Sequence, residues 1–238
     1  MPLNIHIDNA VTLSAYSGSF KESLKDILKF MSKDRNIDTL EKGAYFLATA
    51  FVEAEYSLER WEADYVCGLK GKPYIDKPCK KALDYYRSSK GKKNYYLLGT
   101  DSRGLPYFGR GLIQLTGKEN YEKQGKLLGV NLLKYPEEAM IPKNSYQIAS
   151  NWMALKPYKN GKTTFDFVQD KDLTTARKSI NGGTNGIDEV NKYYLKWLTI
   201  LQKTSKVQTS SLNLKTISGV AVTVFLGFIV YDFFKNKL

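Results

Sequence analysis

Two glutamates, Glu53 and Glu62, stand nine positions apart in a chain whose only histidine is His6. That single count narrows the chemistry. A Ser-His-Asp nucleophile would have to recruit His6, which lies in a short N-terminal stretch without a partner motif. A zinc centre would need an unusual ligand set, mainly carboxylates with Cys67 and Cys79. A Cys-His pair would have to join His6 to one of those cysteines. Acid–base work therefore falls to carboxylates. Nine residues at about 100° each place Glu62 half a turn away from Glu53 on a continuous helix. The two can face one groove only if the helix ends between them, so a break is expected between about Tyr56 and Trp61. Glu55, Glu59 and Asp64 crowd the same stretch, and Glu55 and Asp64 are the substitutes for the pair.

The elements that must carry these residues are helices. Residues 19–32 repeat Phe20, Leu24, Ile27, Leu28 and Met31 at helical spacing, with Ser19 and Glu22 as a capping-box pair. A second helix is expected from Asp38, with Glu41 three residues on. Its stripe of Leu40, Ala44, Leu47, Ala48 and Phe51, with Tyr45, Phe46 and Val52 on other faces, predicts burial nearly all round and leaves Glu53 at its end. A lysine-rich loop region follows from Cys67 to Lys93, with a short helical patch at 82–87, and the cysteine count leaves open whether Cys67 and Cys79 are bridged. Further helices are expected near 145–156, 171–179 and 188–202, the last with Val190, Tyr194, Trp197, Leu198 and Leu201 on one face. Strand signals are few.

The run Tyr107-Phe-Gly-Arg-Gly-Leu-Ile-Gln-Leu-Thr-Gly-Lys-Glu-Asn-Tyr121 is not a phosphate loop. Five residues separate Gly111 from Gly117 where four are needed, and Glu119 replaces the Ser/Thr. It closely resembles the signature of glycoside hydrolase family 19, the family of plant-type chitinases and many phage endolysins. Three more segments fit in order: Phe46–Glu53, Trp61-Glu62 and Ile180-Asn-Gly-Gly-Thr-Asn-Gly186. The resemblance covers roughly residues 35 to 200. It implies a mainly α-helical, lysozyme-like fold of two lobes facing a substrate cleft. It also implies that Glu53 protonates the glycosidic oxygen, Glu62 activates the attacking water and Thr116 holds that water. Gln114, Asn120, Asn181 and Tyr107 would bind sugar, Arg110 would be structural support pairing with acidic groups beneath the cleft, and Gly109, Gly111, Gly182 and Gly183 would permit unusual backbone angles. The family inverts by single displacement with no metal or cofactor, its carboxyls roughly 6.5–9.5 Å apart. Two departures stand out. Val52 replaces the usual histidine before the acid, and Val190 stands where endolysin relatives carry arginine. An apolar surround of Phe46, Thr49 and Ala50 is expected to substitute, burial favouring the protonated acid.

A formal charge of +12 over 238 residues favours an anionic partner. The basic residues are scattered and match no nucleic-acid module, so nucleic acid is not expected. Residues 1–204 read as the catalytic domain, 205–214 as a polar linker, 215–234 as a transmembrane anchor and 235–238 as a short basic tail. Residues 216–231 carry no charge, and as a helix they would span about 24 Å. Lysines on both flanks leave the orientation open, and no cleaved signal peptide is read at the N-terminus. The expected partners are peptidoglycan or a related β-1,4-linked amino-sugar polymer, a host or virion membrane through the C-terminal helix, and virion proteins. The reading is a peptidoglycan-degrading glycosidase of phage lysis or of a virion. Its alternatives are a chitinase, or a non-catalytic saccharide-binding or structural membrane protein.

Overall fold

The computed structural model describes residues 1–61, 84, 99–102, 104 and 106–205, all within one unit spanning Met1–Lys206. It is mainly α-helical, and among the described residues β-pairing is limited to isolated bridges. The helices are α1 (Ile7–Ser14), α2 (Gly18–Met31), α3 (Leu40–Ala54), α4 (Lys118–Leu128), α5 (Pro142–Leu155), α6 (Thr164–Gln169), α7 (Leu173–Asn181) and α8 (Ile187–Thr204), with a 3-10 turn at Pro136–Met140.

Helix α3 is the axis of the core. Gly43 through Ala50 are all buried, as its apolar sequence on every face requires. Its small residues let neighbours come close: a Cβ on Gly43 would stand 2.7 Å from Leu3 and 3.2 Å from Leu201. The most extensive helix–helix contact is α3 against α8, whose buried stripe of Val190, Tyr194, Trp197, Ile200 and Leu201 follows the expected spacing.

The helix starts differ from expectation. Helix α2 begins after Ser17, and no side chain caps it, so the Ser19–Glu22 capping box is not formed. Phe20 is 39% exposed while Leu24, Ile27, Leu28 and Met31 are buried. Thr39, not Asp38, caps α3, accepting from the Lys42 amide at 3.3 Å. Asp38 instead pairs with the Lys42 ammonium at 2.7 Å. Helices α1, α4 and α6 come where no helix was expected.

Helix α3 stops at Ala54, slightly before the expected break. The Glu55 amide donates to the Phe51 carbonyl at 2.7 Å, the single bond of an αL ending, and the Tyr56 amide reaches further back to the Ala50 carbonyl at 3.2 Å. Glycine usually occupies such a turn, yet here Glu55 and Tyr56 have φ of 51° and 62°, a conformation costing about 1 kcal/mol or more for a residue with a Cβ. The Tyr56 anchor offsets that strain. Its side chain is fully buried and its hydroxyl accepts from Trp197 Nε1 at 2.6 Å.

The membrane reading is corrected. No helix among the described residues is long and apolar enough to cross a membrane, so a membrane-anchored location is not supported. The segment 215–234, Cys67, Cys79 and the helical patch at 82–87, apart from residue 84, lie outside the described residues.

Candidate active site

Glu53 sits in the last turn of α3, its side chain 18% exposed. One of its oxygens, Oε1, is ion-paired with Nη1 of Arg177, whose own side chain is only 4% exposed. The carboxylate's second oxygen has no hydrogen-bond partner among the described residues. Arg177 comes from α7 and also donates from Nε to the Asn185 carbonyl at 2.8 Å. The same carbonyl accepts from Asn181 Nδ2 at 3.1 Å, while Asn181 Oδ1 receives the Gly183 amide at 3.0 Å. The Asn-Gly-Gly loop is thus folded around one carbonyl and tied through Arg177 to the glutamate. Gly186 closes the arrangement: its φ is +73°, and a Cβ there would come 3.2 Å from Val52 and 3.4 Å from Arg177 Nη2.

This corrects the expectation of an apolar surround. Val190 is fully buried in the α3–α8 core and supplies no polar support, but Arg177, on the near side of the loop, does. The signal was available: Arg177 precedes Asn181 by one helical turn, so on a helix 173–181 the two share a face. A second overlooked group is Tyr45, fully buried two turns before Glu53 with Thr49 between them. Burial pushes the Tyr45 hydroxyl well above the ordinary tyrosine range, with the Arg177 cation opposing and the Glu53 charge adding to the rise.

The glycine-punctuated run forms the second cluster. Gln114 takes a positive φ of 54°, and its Nε2 donates to the Gly111 carbonyl at 2.9 Å. Thr116 Oγ1 donates to the Gln114 carbonyl at 2.7 Å, and Asn120 Nδ2 to the Thr116 carbonyl at 2.7 Å. Gly109 is required beneath them, since a Cβ there would stand 2.9 Å from Gln114 Oε1 and 3.3 Å from Thr116 Oγ1. Gly111, at φ +74°, packs against Ser145 and the Ala139 carbonyl.

Arg110 is fully buried. Its guanidinium lies 3.7 Å from the Phe108 ring centroid and donates to the Tyr121 hydroxyl at 2.8 Å. Its backbone forms an antiparallel bridge with Trp61, and the Gly111 amide donates to the Arg60 carbonyl at 2.6 Å. The chain leaving Glu53 is thereby pinned to the run that carries Gln114. Tyr107 is 2% exposed, and its hydroxyl donates to the Leu133 carbonyl at 2.8 Å. Glu55 caps α3 and pairs with Arg60 at 3.6 Å. Glu62 and Asp64 lie outside the described residues, and no metal-binding cluster of His, Cys, Asp or Glu occurs among the described ones.

No family model matches the chain. Over 92 residues it is 35% identical to a protein of Haemophilus influenzae named as containing a glycosyl hydrolase family 19 domain, a match covering 38% of this chain and 40% of the relative. The chain therefore matches less than half the length of that curated relative. Among solved structures it is similar to chitinase C from Streptomyces griseus, with a TM-score of 0.55 and 19% identity over 84% of this chain and 78% of that one. It is also similar to a bacterial family 19 chitinase, with a TM-score of 0.52 and 18% identity over 83% of this chain and 94% of that one. The resemblance read from the motifs thus recurs in both comparisons: the chain has the fold of family 19 chitinases and shares a stretch of sequence with a protein named for that family.

Proposed function

We propose that the chain is a glycoside hydrolase acting on a β-1,4-linked amino-sugar polymer, with bacterial peptidoglycan as its substrate and chitin as the alternative. The observation that carries this reading is Glu53, held at a broken helix end by Arg177 with one carboxyl oxygen left over. Glu53 acts as the general acid. With Oε1 held by Arg177, Glu53 takes up a proton on its open Oε2 before the step and passes that proton to the leaving oxygen as the glycosidic bond breaks. Glu62, nine positions further along the sequence, acts as the base that deprotonates water for single displacement with inversion. Thr116 Oγ1, whose proton is committed to the Gln114 carbonyl, keeps lone pairs that can accept from that water. Gln114, Asn120 and Asn181 hold the sugar. The +12 charge draws the enzyme to anionic wall polymers, which suits bacteriophage lysis or a virion-borne enzyme that opens the wall.

The test digests purified wall and, separately, chitin with the full chain and its Glu53→Gln variant, and identifies the new reducing ends by mass spectrometry. Loss of the proton donor is expected to slow cleavage by about a thousandfold. A Glu53→Gln protein that cuts at the native rate overturns the assignment, and cleavage of chitin with wall left intact selects the alternative.

A further inference from the structure

A pocket of about 580 Å³ opens between α4 and α5, lined in part by Asn120, Lys123, Leu127, Leu155, Lys156 and Pro157. It is large enough for several linked groups rather than a single one. Its surface is apolar and its charge one-sided. Leu127 and Leu155 are 54% and 51% exposed. Among the described residues no carboxylate lines the pocket. Lys126 is answered by Glu122 at 2.7 Å, whereas Lys123 and Lys156 have no ion-pair partner among the described residues. The Lys156 ammonium is held in place over the Trp152 indole, 3.4 Å from the ring centroid. Burial, and then the like charge of Lys123, hold its pKa below the ordinary lysine value, as two converging cations require. An anion between them would relieve that repulsion. Asn120 lines the pocket while its Nδ2 donates to the Thr116 carbonyl at 2.7 Å, so the pocket begins where the Gln114–Thr116 cluster ends.

We infer that this pocket holds the peptide branch of the wall polymer, the short stem that ends in D-alanine. The lactyl acid of the wall sugar is closed into the amide that begins the stem, so the free acids are the stem's own, at its γ-linked glutamate and its C-terminus. The terminal carboxylate seats between Lys123 and Lys156, and the alanine methyl groups lie on Leu127 and Leu155. A stem of four residues extends about 13 Å. Its end therefore stands well off the glycan axis, where a pocket beside the sugar cluster, and not within it, can meet it. The inference rests on the glycosidase reading and deepens it. Chitin has neither branch nor charge, so a branch pocket with an unanswered lysine pair favours wall glycan over chitin by charge complementarity.

The test is calorimetric binding to the full chain of two probes, the N-acetylated stem peptide alanyl-γ-glutamyl-lysyl-alanyl-alanine and the same peptide with both carboxyls converted to amides. The native chain is expected to prefer the free-acid peptide by about tenfold, with the preference shrinking as salt is added. The double variant Lys123→Gln/Lys156→Gln should bind both peptides alike with its thermal midpoint kept. Lys123→Gln alone, at an exposed position, serves if the double variant unfolds. Equal binding by the native chain, or an undiminished preference in the variants, overturns the inference. Wall cleavage by a chain that shows no preference between the peptides sinks this inference and spares the glycosidase reading. A preference for the free-acid peptide in a chain that cuts neither wall nor chitin sinks the glycosidase reading and leaves the peptide pocket standing.

Discussion

Arg177 divides its donors between two acceptors that lie far apart in sequence: Nη1 on Glu53, 124 residues away, and Nε on Asn185. Removing a partner from so buried a pair strands the other charge, which costs about 3 kcal/mol. Arg177→Met is therefore expected to lower the denaturant midpoint by that margin and to abolish wall cleavage. Arg177→Lys keeps the charge but not the planar fork, so it should recover most of the stability and little of the turnover rate. Native-like rates in Arg177→Met would show that the contact positions nothing. No local spacing in the sequence announces a pair separated by 124 residues. Glu53, Gln114 and Thr116 could be singled out as candidates because each belongs to a short run whose residue types are tightly constrained. Arg177 was signalled only by its one-turn spacing from Asn181, and Val190 drew attention to the wrong side of the loop.

Legibility changes between elements for a related reason. Helices α3 and α8 could be read because each buries a long apolar stripe. Helix α4 could not: of Lys118–Leu128 only Tyr121, Gln124 and Gly125 are buried, and the preceding glycine-rich run masked its start. Helices α1 and α6 have only eight and six residues, too few for a period to register. The end of α3 lay close to its expected position because the two glutamates demanded a break, but which side chain holds that break was not visible in advance. Tyr56 does so through Trp197. Tyr56→Phe leaves the Trp197 indole N–H buried without that acceptor, and the expected loss is about 1–3 kcal/mol. It should be read from the urea midpoint at unchanged m-value, and an unmoved midpoint would mean the strained turn at Glu55 and Tyr56 is held by something else.

At the scale of the molecule, the positive charge and the family 19-like motif were legible from composition and pattern alone, while the reading of the tail as a membrane span gained no support from any described helix. Long-range closure is the feature that composition hides most completely. The His6 amide donates to the Thr204 carbonyl at 2.8 Å, and Ile5 bridges Ser205, with Leu3 and Ile5 largely buried against the same core. A leading segment is ordinarily the first part of a domain to fray. Here its peptide groups are fastened to the final turn of α8, which itself packs along α3. The His6 amide proton should accordingly exchange with heavy water as slowly as amides in the middle of α8, because releasing it requires the whole unit to open. Rapid exchange at His6 beside slow exchange at Leu198 would instead describe a loose strap, with the first residues peeling away while the helices behind them stay shut.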